Sequence, residues 1–347
     1  MQPLMPIDHG LSNMSDIAFR TALVIYILAW ALSFTYYVKR HIALSYDQRL
    51  QRQRELVAVG AENSSTGTTA VLPADPEQDP LPENAEEILA QKRASASKFG
   101  GMTQTVVWLG IIVHVTAAVL RGLAAHRVPL GNLYEYVLVI TAFAMVATAL
   151  VVQRKEWRVL WPWMLTPIIG LLFFGGTKLY AATAPVVPAL RSYWLPVHVT
   201  TVSGGAAIGI FSGIASILYL LRKWQPKGQE KDGFFGALVR PLPSTQTLDN
   251  LAYRSAVVTL PVLGLGILLG AIWANTAWGR PWGWDPKETV SFITWVLYAA
   301  YLHARATVSW RGVHAACINV LALAVMIFNL FFINMVVSGL HSYAGLN

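Results

Sequence analysis

About eight runs of roughly 20 mostly apolar residues divide this chain, and a run of that length matches the hydrocarbon thickness of a bilayer. They fall at 17–38, 103–124, 134–152, 159–177, 198–221, 256–274, 289–308 and 315–337. Composition agrees: hydrophobic residues make up 55% of the 347 and charged residues 13%. The expected fold class is therefore an all-α polytopic membrane protein with about eight transmembrane helices. The first run is read as a true span, since its apolar stretch is long and only Arg20 supplies the charge a cleaved leader would carry.

Lysine and arginine occupy alternate loops: Lys39, Arg40, Arg49, Arg52 and Arg54; Lys92, Arg93 and Lys98; Arg154, Lys155 and Arg158; Arg222, Lys223, Lys227 and Lys231; Arg305 and Arg311. By the positive-inside rule these loops are cytoplasmic, which puts both termini outside. The formal net charge of +8 then follows from topology, and no nucleic-acid partner is expected. The single cysteine, Cys317, lies in an apolar run and offers neither an intrachain disulfide nor a CxxC pair.

Residues 1–40 read as an N-terminal transmembrane anchor, 41–100 as a largely disordered cytoplasmic linker and 101–347 as the main membrane domain. The linker assignment rests on 57–98, rich in Pro, Ser, Glu and Gly and free of aromatics. Residues 225–250 form a second cytoplasmic loop, with Phe234, Phe235 and Leu238 placed to touch the interface. Glycines such as Gly204, Gly205, Gly209, Gly264, Gly266 and Gly270 lie inside apolar runs, where small residues let helices approach closely.

The stretch "WGRPWGWDPKETVSF", residues 278–292, falls on the outer side of this topology. Asp285, Pro286 and Glu288 have the order of an N-cap, a first helical proline and a capping-box partner. Tryptophans concentrate at membrane interfaces in general. Trp273, Trp278, Trp282 and Trp284 within a dozen residues, interleaved with Gly279 and Gly283, also suit a flat stacked ligand.

His198 opens the fifth run after "SYWLP", and His341 follows the eighth in "VSGLHSYAGLN", so both belong to the outer face. Two imidazoles beside an aromatic platform are a candidate axial pair for haem iron. His303, in "YAAYLHARA", sits about 14 residues into the seventh run, about 20 Å below the tryptophan loop, on one face with Trp295 and Ala299. An ionisable residue at that depth is a functional candidate. His114 is a weaker candidate of the same kind; His9, His41, His126 and His314 carry no assigned chemistry.

"WGRPWGWDPKETVSFITWVLYAAYLHAR" resembles the tryptophan-rich WWD segment and following helix of the CcsA/ResC subunit of the System II cytochrome c synthase. "VPLGNLYEY" at 128–136 and "SGLHSYAG" at the C-terminal end are similar to that family too, and the resemblance covers roughly residues 100–347. Val290 stands where the family often has an aromatic. The resemblance implies a protein that carries haem b to the outer face and supports its thioether attachment to the CxxCH of apocytochrome c. It implies a ResB-type membrane partner and a thiol-reducing pathway, in a bacterial plasma membrane or a thylakoid-type membrane. Carried over by residue, His198 and His341 ligate the iron, Trp278, Trp282, Trp284 and Asp285 hold the porphyrin, and His303 binds haem in transit. Arg280, Lys287 and Arg191 are candidate partners of the haem propionates or else solvated charges. The alternative is a haem exporter or chaperone that forms no bond. A di-haem cytochrome b would want two intramembrane histidine pairs, and only His114 and His303 lie at depth.

Overall fold

A computed structural model describes residues 6–66, 82–186, 192–231 and 233–341. Among them the chain is helical with no strand. The helices are α1 (His9–Thr66), α2 (Ala85–Ala125), α3 (Leu133–Val151), α4 (Trp161–Lys178), α5 (Trp194–Trp224), α6 (Phe234–Val239), α7 (Thr245–Trp278), α8 (Pro286–Ala306) and α9 (Val313–Phe328). A 3₁₀ turn, Lys155–Leu160, precedes α4, and a π turn, Asn329–Ile333, prolongs α9.

Seven helices are long and apolar enough to cross a membrane by length and composition. The eighth expected span corresponds to α8, whose Lys287, Glu288, His303 and Arg305 lower its apolarity. At 21 residues it is still about 31 Å long. The chain is thus a multi-pass membrane protein. Its outer surface carries the apolar side chains this requires, among them Val24, Ile112, Leu265 and Leu268, all more than half exposed.

Two cores hold the bundle. The larger joins α1 to α5 around Tyr26, Tyr134, Leu138, Met145 and Trp161. The smaller joins α5, α7, α8 and α9 around Leu263, Tyr298, Tyr301 and Met326. Helix α5 belongs to both and packs along α7. The close approach there depends on small residues: a Cβ on Gly205 would fall 3.0 Å from the Leu263 nitrogen, and one on Gly266 would fall 2.5 Å from the Val202 side chain.

The expected disordered linker over 41–100 is corrected where the chain is described. Helix α1 runs on to Thr66 and α2 begins at Ala85, so both helices overshoot their apolar spans. Their extensions pair through Leu50, Ala85 and Leu89 against Tyr46, with a 2.9 Å ion pair between Arg93 and Asp47. A short apolar stripe suffices once the two helices lie side by side, and composition averaged over the whole stretch conceals it. Residues 67–81 lie outside the described residues.

The two ends of the bundle differ chemically. At one end Arg40, Arg93, Lys155 and Arg158 surround a 320 Å³ cavity, and Arg240 hydrogen-bonds Ser45 at 2.8 Å. At this end buried Arg222 pairs with Glu230 at 2.7 Å. The other end gathers the start of α1, the end of α2, the start of α3 and the segment after α4. Glu135, fully buried, takes Arg121 at 3.2 Å and Arg127 at 2.7 Å; Arg121 also lies 3.6 Å from Asp16. Asn132 caps α3 by accepting the Glu135 amide at 2.8 Å. The "VPLGNLYEY" segment is therefore a tied-down corner.

Candidate functional site

The site forms beside this corner, from four pieces of chain: the start of α5, the end of α7, the loop into α8 and the segment after α9. His198 sits in the first turn or two of α5. Its Nδ1 lies 2.8 Å from the Gly266 carbonyl oxygen of α7, and its ring stacks on Trp273 at 5.9 Å. Gly270 makes room for this: a Cβ there would lie 2.6 Å from His198 Cε1. Since a carbonyl only accepts, Nδ1 is the protonated nitrogen and Nε2 carries the ring's basic lone pair.

His341 is held from the loop side. Its Nδ1 is 2.8 Å from Asp285 Oδ2, an arrangement that orients the ring and again makes Nε2 the basic nitrogen. Asp285 has several tasks. It caps α8 through the Lys287 amide in a capping box completed by Glu288, and it accepts the Leu340 amide at 2.8 Å. Burial pushes its carboxyl up, but the bonds from His341 and from the Leu340 and Lys287 amides outweigh that and leave it below the usual carboxylate range. One carboxylate thus fixes the helix start, the returning C-terminal segment and the imidazole.

The tryptophan loop closes over this pair. Gly279, at φ 70°, ends α7 in the left-handed conformation that favours glycine. Trp278 meets His341 edge-on at 5.1 Å and Trp273 at 5.1 Å. Trp282 lines one of two cavities that hold both histidines. Trp284 stands outside it, 68% exposed and edge-on to Trp282 at 5.7 Å. Its φ of 57° is uncommon for a bulky residue, a strained presentation of an indole to the surroundings.

Two small cavities, about 110 and 70 Å³, flank the histidines, and both are lined by His198, His341, Val202 and Lys287. A third of about 70 Å³ continues beneath them past Tyr136, Ser291 and Asn329. The donor set suits haem: two imidazoles with Nδ1 anchored, indole walls, and a buried Trp273 Nε1 with no hydrogen-bond partner among the described residues. No group of three or more His, Cys, Asp or Glu side chains suited to a bare metal ion occurs among the described residues. The cavities are smaller than the about 300–1,000 Å³ of pockets that bury a sizeable planar ligand, so admission of one requires the groups around them to move apart.

Among the expected site residues, His198, His341, Trp278, Trp282 and Asp285 are brought together, and Trp284 joins them from outside. His303 is not part of this cluster. It lies in the last turn of α8, 17 residues beyond Pro286 and so about 26 Å along the helix instead of 20, with its side chain exposed. The earlier start of α8 accounts for the difference. His114 is a packing residue: Tyr26 approaches one ring nitrogen at 3.2 Å and the Leu138 carbonyl the other at 3.0 Å.

Two contributors lay outside the expected site residues, and a third, Lys287, was expected either as a propionate partner or as a solvated charge. Trp273, read only as one of an aromatic group, touches both histidines, at 5.9 and 6.3 Å. Lys287 is not a solvated loop charge: it faces the cavities, and its Nζ donates to Asn334 Oδ1. Tyr136 lines the floor. A helical signal for Lys287 was present, since Lys287, Ser291, Thr294, Tyr298 and Tyr301 share one face of α8, and the last three are buried. Arg280 faces Glu288 at 3.7 Å, and Arg191 lies outside the described residues.

The Cytochrome C assembly protein family matches residues 130–341. The chain belongs to this family. The match begins at the capped corner before α3 and ends at His341. Among curated proteins, the chain is 36% identical to a cytochrome c biogenesis protein CcsA of Guillardia theta over 255 residues, covering 68% of this chain and 84% of the relative. It is 34% identical over 269 residues to the protein of that name in Parasynechococcus marenigrum (strain WH8102), covering 70% and 86%. This is a CcsA-type protein of cytochrome c biogenesis, the role that implies handling of haem and apocytochrome c as the substrate.

Proposed function

We propose that this chain holds haem b between His198 and His341 at the extracytoplasmic face and, with a ResB-type partner, supports its attachment to the CxxCH segment of apocytochrome c. The observation that carries this reading is the matched anchoring of the two imidazoles. Each Nδ1 is committed, one to the Gly266 carbonyl and one to Asp285, and the Nε2 of each ring is the atom assigned to axial ligation. Trp278, against the His341 ring, and Trp282, in a wall of one histidine cavity, are assigned to hold the flat faces of the macrocycle.

Haem supplies the electrophilic vinyl groups. Each cysteine thiol of the substrate adds across one of them, forming one C–S bond and passing its hydrogen to the neighbouring carbon, with no net oxidation or reduction. This chain needs no nucleophile for that step, in keeping with Cys317 lying in α9, outside the site. Its residues orient the reacting edge, and holding the partners in register is the lever they supply. His303, near the other end of α8, is assigned to haem in transit before it reaches this site.

The test is spectroscopic. In the complex purified with its partner, His198→Gly and His341→Gly should each lose the low-spin bis-histidine spectrum and regain it on addition of free imidazole. His303→Gly should lower haem content, and imidazole should leave the spectrum of haem already at the outer site unchanged. An unaltered bis-histidine spectrum with full haem content in both glycine variants of the outer pair sinks the reading.

A further inference from the structure

We infer that Lys287, assisted by the Trp273 indole, forms a carboxylate-binding subsite that fixes which edge of the porphyrin faces inward; the inference rests on the haem reading above. Lys287 lines all three cavities at the site and shares two of them with both histidines. Its ammonium has three donors, of which one is committed to Asn334 Oδ1. Among the described residues no carboxylate lies within ion-pair distance of it. The two acids closest in sequence are engaged elsewhere. Asp285 accepts His341 and the Leu340 and Lys287 amides, and Glu288 accepts the amides of Gly283 and Asp285 beside Arg280.

Lys287 is half-buried, and a ligand carboxylate at its two remaining donors would bring the opposite charge into contact. The second observation is independent: Trp273 lines the larger of the two cavities, and its buried Nε1–H has no partner among the described residues. A carboxylate takes donors of both kinds at once, with the charge-assisted bond to the ammonium the stronger. Of the three basic residues that could serve a propionate, Arg280 is turned to Glu288 and Arg191 lies outside the described residues, while Lys287 faces the cavities. With the propionate edge held inward at Lys287, the opposite, vinyl-bearing side of the ring is directed toward the tryptophan loop and the incoming thiols. Lys287 is thus a positioning residue for the reaction.

The full chain, purified in detergent with its partner and freed of haem, is titrated with ferric protoporphyrin IX and with its dimethyl ester, which keeps the iron and vinyl groups but masks both carboxylates. Dissociation constants are read from the Soret band. The wild type should favour the free acid by about tenfold or more. Lys287→Met should bind the two porphyrins within about twofold of each other with an unchanged low-spin spectrum, and Lys287→Arg should keep the preference. Trp273→Phe should weaken it in part. A full preference in Lys287→Met, or none in a wild type that still shows bis-histidine ligation, overturns the subsite and leaves the haem reading standing. Failure of the wild type to bind either porphyrin in low-spin form overturns both. Should Lys287→Met not fold, the ester comparison in the wild type and in Lys287→Arg decides alone.

Discussion

Asp285 shows how much one side chain can carry. It caps α8, receives the returning backbone at Leu340 and steers His341. Asp285→Ala removes the cap, at a cost of about 1 kcal/mol, and frees the imidazole as well. Asp285→Asn keeps an acceptor for both. Thermal unfolding should rank wild type, Asn and Ala in that order, and the low-spin haem spectrum should weaken in the same order; equal haem loss in the Asn and Ala variants would tie the effect to the charge instead. Gly270 is the complementary case. A valine there puts atoms where His198 lies, 2.6 Å from the position a Cβ would take. Gly270→Val should fold, since the clash is with one imidazole, yet show the spectrum of His198→Gly. A normal bis-histidine spectrum would mean that His198 does not occupy this place when haem is bound.

At the scale of elements, α5 and α7 form the frame and the loops do the gripping. Gly205 and Gly266 let the two helices meet, and that contact delivers the Gly266 carbonyl to His198. At the far end of α5, Arg222 and Glu230 tie down the loop that leads to α6. Burial raises the Glu230 carboxyl, but hydrogen bonds from backbone amides and from Arg222, with the charge of Arg222, reverse this and hold it below the usual value of 4.5. A lowered folded pKa means that the bond stabilises the loop above the ordinary carboxylate pKa and is lost as pH falls through the lowered value. Limited proteolysis of residues 225–240 should therefore stay slow from neutral pH down to about pH 5 and quicken below the ordinary carboxylate range. Glu230→Gln should be cut faster at neutral pH, and equal cutting of variant and wild type there would remove the ion pair from the account.

At the scale of the whole molecule, the histidine end and the basic end are opposite, and the positive-inside rule predicts the basic end on the cytoplasmic side. With Cys317 replaced, a cysteine at exposed Thr276 should react with an impermeant maleimide in intact cells, whereas one at exposed Gln153 should react only after lysis. The reverse pattern would invert the topology and place the site in the cytoplasm. The α1–α2 hairpin precedes the family match at residue 130, yet it is built into the larger core through Tyr26 and the Asp16–Arg121 contact. It is structurally part of the bundle.

Periodicity and charge along the chain were enough for the all-helical membrane class, for most helix positions and for the capping box, because each depends on neighbours in sequence. The tryptophan loop and the histidine pair were legible for the same reason: rare residues crowd a short stretch, and alternating spans bring both chain segments to one face. Other features needed the tertiary structure. The depth expected for His303 was corrected only once the start of α8 was known. His114 lost its candidacy when Tyr26 and Leu138 were found at its two nitrogens. Lys287, expected either as a propionate partner or as a solvated charge, faces the cavities because helix rotation, set by the packing of Thr294, Tyr298 and Tyr301, turns it inward. Linear sequence specifies the period of a helix; which face meets which neighbour is decided by packing, and the chemistry of this site is a matter of faces.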